Sequence, residues 1–166
     1  MGTGGRDGVC LVLGAGTDGI GGAVAARFAA EGYITVVSRR KLAPLRELAE
    51  RISASGGRVF AHAADARDED SVAALVRAAE ALGPIEVAVY NVGANPGYIA
   101  LQDTTPKLFR QNWEMSCFGG FLFGQAVAAS MEGHGRGGTI LFTVRIYAHS
   151  QNLPRPQHSF MYHCHG

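Results

Sequence analysis

An apolar run that stops at a cluster of glycines constrains this chain more than any other feature. Val9-Cys10-Leu11-Val12-Leu13 is followed by Gly14-Ala15-Gly16-Thr17-Asp18-Gly19-Ile20-Gly21, and then by apolar residues at Val24, Ala25, Phe28 and Ala29. A short β-favouring run, a glycine turn and apolar residues at helical spacing read as strand, tight turn, helix. Glycine permits the backbone angles of such a turn and lets main chain approach a ligand closely. The helix start offers unpaired N–H groups and the positive end of its dipole to a phosphate. Gly14, Gly16 and Gly19 carry the G-x-G-x-x-G spacing. Between a strand and a helix, that spacing points to a dinucleotide pyrophosphate.

The rest of the body repeats the unit. Gly32 stops the first helix, and Ile34 to Ser38 reads as a second strand. Leu45, Leu48, Ala49 and Ile52 recur at helical spacing up to Gly56-Gly57, and Arg58 to Ala63 is a third strand. Asp68 is placed to cap a helix whose buried face is Val72, Leu75, Val76 and Ala79, closed by Gly83-Pro84. Val87 to Tyr90 is a fourth strand, ending at Asn91-Val92-Gly93-Ala94. A loop with Pro96 and Gly97 leads to a long helical stretch, about 106–131, which Gly137-Gly138 break before a fifth strand over 139–144. Strands alternating with helices predict an α/β fold: a three-layer, doubly wound parallel sheet of the Rossmann type. The first three strands should lie in order 3-2-1, with the fourth and fifth on the far side of the first.

Composition narrows the partners. Apolar residues make up 47% and charged residues 17%, which is a globular balance that can form a core. A formal charge of +1 gives no electrostatic case for nucleic acid or an acidic membrane. The long apolar stretch 117–131 is too short to span a bilayer. Cys10, Cys117 and Cys164 lie far apart, the usage of a reducing cytoplasm and not of a disulfide framework.

With these residues in place, the chain resembles the short-chain dehydrogenase/reductase family over about 9–143. The resemblance is carried by the glycine turn, by Asp65 after the third strand, and by Tyr90-Asn91-Val92-Gly93 after the fourth. It implies that Gly14, Gly16, Gly19, Ile20 and Gly21 hold the pyrophosphate of a nicotinamide dinucleotide. It further implies that Asp65 contacts adenine, and that Asn91 and Gly93 steady the sheet beside the cofactor. One position departs from the family spacing G-x-x-x-G-x-G: Ala15 stands where its first glycine would be. Either Gly14 serves in a longer loop, or Ala15 is tolerated.

The end of the second strand chooses the cofactor. An acid there would accept from a ribose 2′-OH, whereas an arginine would pair with a 2′-phosphate. The sequence has Ser38-Arg39-Arg40-Lys41 and no acid nearby. Forked guanidinium donors suit phosphate, so NADP(H) is favoured over NAD(H), with Arg39 the contact residue. The plain alternative is that three cations decorate a solvated helix start. Asp65 and Asn91 have plain alternatives too, as a loop cap and a strand-end turn former.

The family transfers hydride between nicotinamide and a small-molecule carbonyl or alcohol, using a tyrosine and a lysine four residues later. Here the two lysines, Lys41 and Lys107, follow Val37 and Asp103 at that spacing, so no Tyr-x-x-x-Lys exists. The family's helix asparagine falls at Ser116, and Thr143 is the hydroxyl nearest to where its serine belongs. A phenol without a cation beside it keeps a pKa near 10, unsuited to acid–base work at neutral pH. The expectation is therefore a chain that lacks its catalytic half and turns nothing over. The alternative is a non-catalytic dinucleotide-binding module or sensor.

From Arg145 the composition changes. Four of six histidines fall in 145–166, with Pro154 and Pro156. This predicts a Rossmann-type domain over 1–144, truncated after the fifth strand, and an irregular, non-homologous tail. His158, His163, Cys164 and His165 are ligand types for zinc or copper, but no C-x-x-C or H-E-x-x-H spacing supports a metal site. Family members pair through the long helix, which implies a homo-oligomer through 106–131, with Gly119, Gly120, Phe121 and Phe123 as its small and aromatic face. Trp113 is expected to anchor that helix.

Overall fold

The structure is a computed structural model, and it describes residues 6–93, 99 and 101–143. Its centre is β1 (Val9–Leu13), in which all five residues are buried. On one side β1 pairs in parallel with β2 (Ile34–Arg39), which pairs with β3 (Arg58–Ala63). On the other it pairs with β4 (Ile85–Tyr90), followed by β5 (Thr139–Phe142). The order β3-β2-β1-β4-β5, all parallel, is the one expected from the alternation of elements. A central parallel strand is covered on both faces, which is why β1 reads as an unbroken apolar run.

Side-chain alternation divides β1 between two cores. Cys10 and Val12 join Val37, Val87 and Val89 beneath α1 (Ile20–Ala30) and α2 (Leu42–Ala54), which contribute Ala25, Ala29, Leu45, Leu48 and Ile52. Val9, Leu11 and Leu13 join Val36, Ala88 and Tyr90 beneath α3 (Glu69–Glu80), which supplies the expected stripe Val72, Leu75, Val76 and Ala79. Asp68 caps α3 as its sequence position predicts, its carboxylate accepting from the Ser71 N–H at 2.7 Å.

The long helix differs from expectation. It comprises α4 (Pro106–Trp113), a π-helical turn (Glu114–Phe118) and α5 (Gly119–His134). The buried Tyr90 hydroxyl donates to the Met115 carbonyl inside the π turn, so a strand residue holds the helix where its regular ladder is interrupted. Gly135, in the left-handed region at φ 66°, ends α5, not Gly137-Gly138 as the sequence suggested. His134 then bonds the Ile85 carbonyl at 3.1 Å, and Arg136 pairs with Asp7 and Glu86, fastening this corner to the start of β4.

The face expected to pair with a second copy also needs correction. Gly119, Gly120 and Phe123 point into the chain's own core, because α5 lies close over Tyr90: a Cβ on Gly119 would meet the Tyr90 hydroxyl at 2.5 Å. Of that set only Phe121 points outward, at 60% exposure. The stretch 144–166, which includes the histidine-bearing segment, and the loop residues Pro96 and Gly97 lie outside the described residues. Among the described residues no helix is long and apolar enough to cross a membrane, and no metal-binding cluster of His, Cys, Asp or Glu is present.

Candidate nucleotide site

Strand register assembles the site. Phe142, Tyr90, Leu13, Ser38 and His62 lie in one row across the sheet. The next residue of each strand or following loop therefore forms a common rim: Thr143, Asn91, Gly14, Arg39 and Ala63. Connections leave β1 toward β2 on one side and reach β4 on the other, so the rim opens into a crevice at the switch point. That crevice is a cleft of about 530 Å³, and it is lined by all nine residues singled out from sequence: Gly14, Gly16, Gly19, Ile20, Gly21, Arg39, Asp65, Asn91 and Gly93. Arg40, Lys41, Ala64, Ala66 and Met115 complete most of the remaining wall.

The glycines do different work. Gly14 sits at φ 96°, and a side chain there would run into the main chain of Asn91. At Gly21 a Cβ would lie 2.6 Å from the Gly14 carbonyl and 2.8 Å from Asn91 Nδ2, so α1 can approach the turn only without one. Gly19, at φ 116°, is required by its backbone alone, since a Cβ there would meet open space. Gly93 needs to be glycine for neither reason. Ala15 resolves the departure from family spacing. It is buried in the core under α1 and α2, its N–H donates to Ser38 O at 3.0 Å, and its φ is negative.

Asn91 binds three segments together. Its N–H donates to Leu13 O at 2.8 Å, its Nδ2 to Gly14 O at 3.0 Å, and its Oδ1 accepts from the Thr143 hydroxyl at 2.7 Å. The turn is thereby fixed from the strand beside it. Thr143, the hydroxyl nearest to the family's serine position, is committed to this bond. Ser116 is exposed on the π turn. Val144, Arg145, Tyr147 and Tyr162 lie outside the described residues.

An anion would find this cleft receptive. No side chain caps the start of α1, so the first-turn N–H groups of an eleven-residue helix face the crevice beside Gly19. The Arg39 guanidinium reaches over the turn, its Nη1 only 3.2 Å from where a Gly16 Cβ would stand. Arg40 and Lys41 extend the positive side. Two acids share the lining, and both have cationic partners: Asp18 lies 3.8 Å from Arg51, and Arg67 donates to both Asp65 carboxylate oxygens, at 3.1 and 2.7 Å. That guanidinium holds the Asp65 carboxyl below its ordinary pKa. Such a set of donors suits phosphate oxygens by its chemistry.

Two contributors escaped the sequence reading. Met115 enters the wall only because the π turn brings it there, and no residue pattern marks that turn. Arg67 carried a signal, a cation two residues after an acid in a helix-capping loop, but many such pairs never meet.

A family described as short chain dehydrogenase matches residues 8–155, beyond Thr143 where the motif resemblance stops. L-rhamnose 1-dehydrogenase (NAD(P)(+)) of Azotobacter vinelandii is 37% identical over 147 residues, covering 86% of this chain and 57% of that protein. A short-chain dehydrogenase from Rhodopseudomonas palustris superposes with a TM-score of 0.77 at 44% identity, over 82% of this chain and 63% of the other. A metagenomic short-chain oxidoreductase in complex with NADP superposes at 0.73 with 28% identity, over 83% of this chain and 62% of the other. The chain thus spans little more than half the length of the known relatives it matches.

Proposed function

The chain belongs to the short-chain dehydrogenase family, and on that premise we propose that its cleft binds a nicotinamide dinucleotide, NADP(H) in preference to NAD(H). The observation that carries this reading is the uncapped start of α1 facing a rim whose positive charges are Arg39, Arg40 and Lys41. Main-chain N–H groups between Gly16 and Gly21 receive the pyrophosphate, and Asn91 keeps that turn from opening. Arg39 offers forked donors to a 2′-phosphate. Asp65, across the cleft, accepts from the adenine amine. One structural neighbour is a complex with NADP, while the name of one relative admits both nicotinamides. The preference therefore rests on Arg39.

Bound nicotinamide supplies or takes up a hydride, which family members exchange with a carbonyl or alcohol. What this chain's residues do is hold and orient the nucleotide. The proton transfer that accompanies hydride exchange needs a tyrosine with a lysine four residues on, and no such pair occurs in the sequence. Thr143 cannot substitute while its hydroxyl is bound to Asn91. The same observation favours a second reading, a module that binds the dinucleotide and does not react it. In either case a second copy docks on the outer face of the long helix, where Trp113 and Phe121 are 44% and 60% exposed.

Fluorescence titration of the wild type and Arg39→Asp with NADPH and NADH tests the cofactor preference. The variant should lose about tenfold or more in NADPH affinity, the worth of a charge-assisted contact, and little for NADH. Equal effects on both nucleotides would refute it.

A further inference from the structure

Asp65 borders two hollows. With Ala64 and Ala66 it lines the nucleotide cleft. With Arg67, Trp113, Glu114 and Phe118 it also lines a neighbouring hollow of about 420 Å³. Arg67 belongs to the second and is not among the residues lining the cleft. It approaches the carboxylate from behind. Its Nε donates to Oδ1 at 3.1 Å, its Nη2 to Oδ2 at 2.7 Å, and its main-chain N–H to Oδ1 at 3.1 Å.

The backbone of the turn is fixed as well. Asp65 N–H donates to Ser71 Oγ at 3.0 Å, and the Ser71 N–H is itself held by the Asp68 carboxylate that caps α3. Together these bonds fix the carboxylate's direction and tie its backbone to α3, and a carboxylate accepts more hydrogen bonds than Arg67 supplies. We propose that Arg67 is a positioning residue that makes the base end of the cleft selective for adenine, deepening the nucleotide reading on which it rests.

The chemistry is one of donors and acceptors. A carboxylate held ionised is acceptor-only, so it rewards a base edge carrying an N–H and repels one carrying an oxygen. Adenine presents an exocyclic amine at that edge; hypoxanthine presents a carbonyl. Without the guanidinium the carboxylate is free to turn toward water or toward Arg40, whose charge also acts on it. The selectivity then fades, although the pyrophosphate grip on the far side of the cleft persists.

The test is fluorescence titration of the 166-residue chain with NADPH and with reduced nicotinamide hypoxanthine dinucleotide phosphate. Wild type should bind the adenine form about tenfold more tightly, the size of one charge-assisted hydrogen bond against a mismatched pair. In Arg67→Ala the ratio should fall to about threefold or less, with affinity for the hypoxanthine form no weaker than in wild type. Should that variant fail to fold, Arg67→Gln, which keeps the stem and a donor, should give the same reduced ratio. Asp65→Ala should abolish the ratio, and adding Arg67→Ala to it should change nothing further. Equal weakening of both nucleotides would make Arg67 merely structural and overturn the proposal, as would a ratio that survives its removal. Wild type binding both nucleotides without preference overturns this inference alone, whereas wild type binding neither overturns the nucleotide reading with it.

Discussion

Gly14 and Gly93 stand at the ends of adjacent strands and line the same cleft, yet their surroundings assign them opposite sensitivities. Gly14 combines a left-handed backbone with the Asn91 main chain pressed against its missing side chain, so either strain or displacement follows a substitution. Gly14→Ala should lower unfolding free energy by at least about 2 kcal/mol in urea denaturation. Gly93→Ala should stay within about 0.5 kcal/mol of wild type, as open surface positions do. Equal losses at the two sites would mean that the turn is not braced by Asn91 as described. The contrast also separates structural from ligand-facing roles at residue scale. Asn91 spends both ends of its side chain on the protein itself, whereas Arg39 reaches over the turn and no ion pair holds it among those described.

At the scale of elements, α3 shows how local chemistry delivers a helix to its place. Asp68 satisfies the Ser71 N–H, Glu69 and Asp70 complement the dipole, and one apolar stripe then docks beneath β1 and β4. Asp68→Ala should cost about 1 kcal/mol of stability by thermal or urea unfolding, without loss of the fold. No measurable change would remove the cap from the account. Such signals explain what was legible beforehand. An apolar run that stops at Gly14, and helical patterns that stop at Gly32, Gly56 and Gly83, mark the strand–helix units, and chirality then leaves one strand order. The nine cleft residues were legible through the glycine spacing, the basic end of β2 and the family resemblance, and parallel register helps to bring them to one rim. The π turn was not, because it depends on the Tyr90 hydroxyl arriving from a strand more than twenty residues away in sequence. Nor was the inward direction of Gly119, Gly120 and Phe123, since a helix rich in glycine, alanine and aromatics shows no polar face from which to orient it.

For the whole molecule, exposed apolar side chains among the described residues bear on association, and two places matter most. One is the outer side of the long helix at Trp113 and Phe121; the other is β5, where Leu141 and Phe142 are 46% and 51% exposed. Exposed apolar patches of this kind favour association. Sedimentation should find the wild type as a dimer or larger, and Phe121→Glu should shift it toward monomer. An oligomer indifferent to that change would move the contact away from the helix. The central claim, however, concerns the cleft: main-chain N–H groups at the start of α1, with Arg39 beside them, grip a phosphorylated dinucleotide in a chain that carries no Tyr-x-x-x-Lys. Titrating the purified chain with NADPH, and following nicotinamide oxidation in the same cuvette as a carbonyl substrate is added, reads both halves at once. Saturable binding with no oxidation above the uncatalysed rate is the predicted result. Absence of binding would contradict the site, and turnover would contradict the division between holding the cofactor and reacting it.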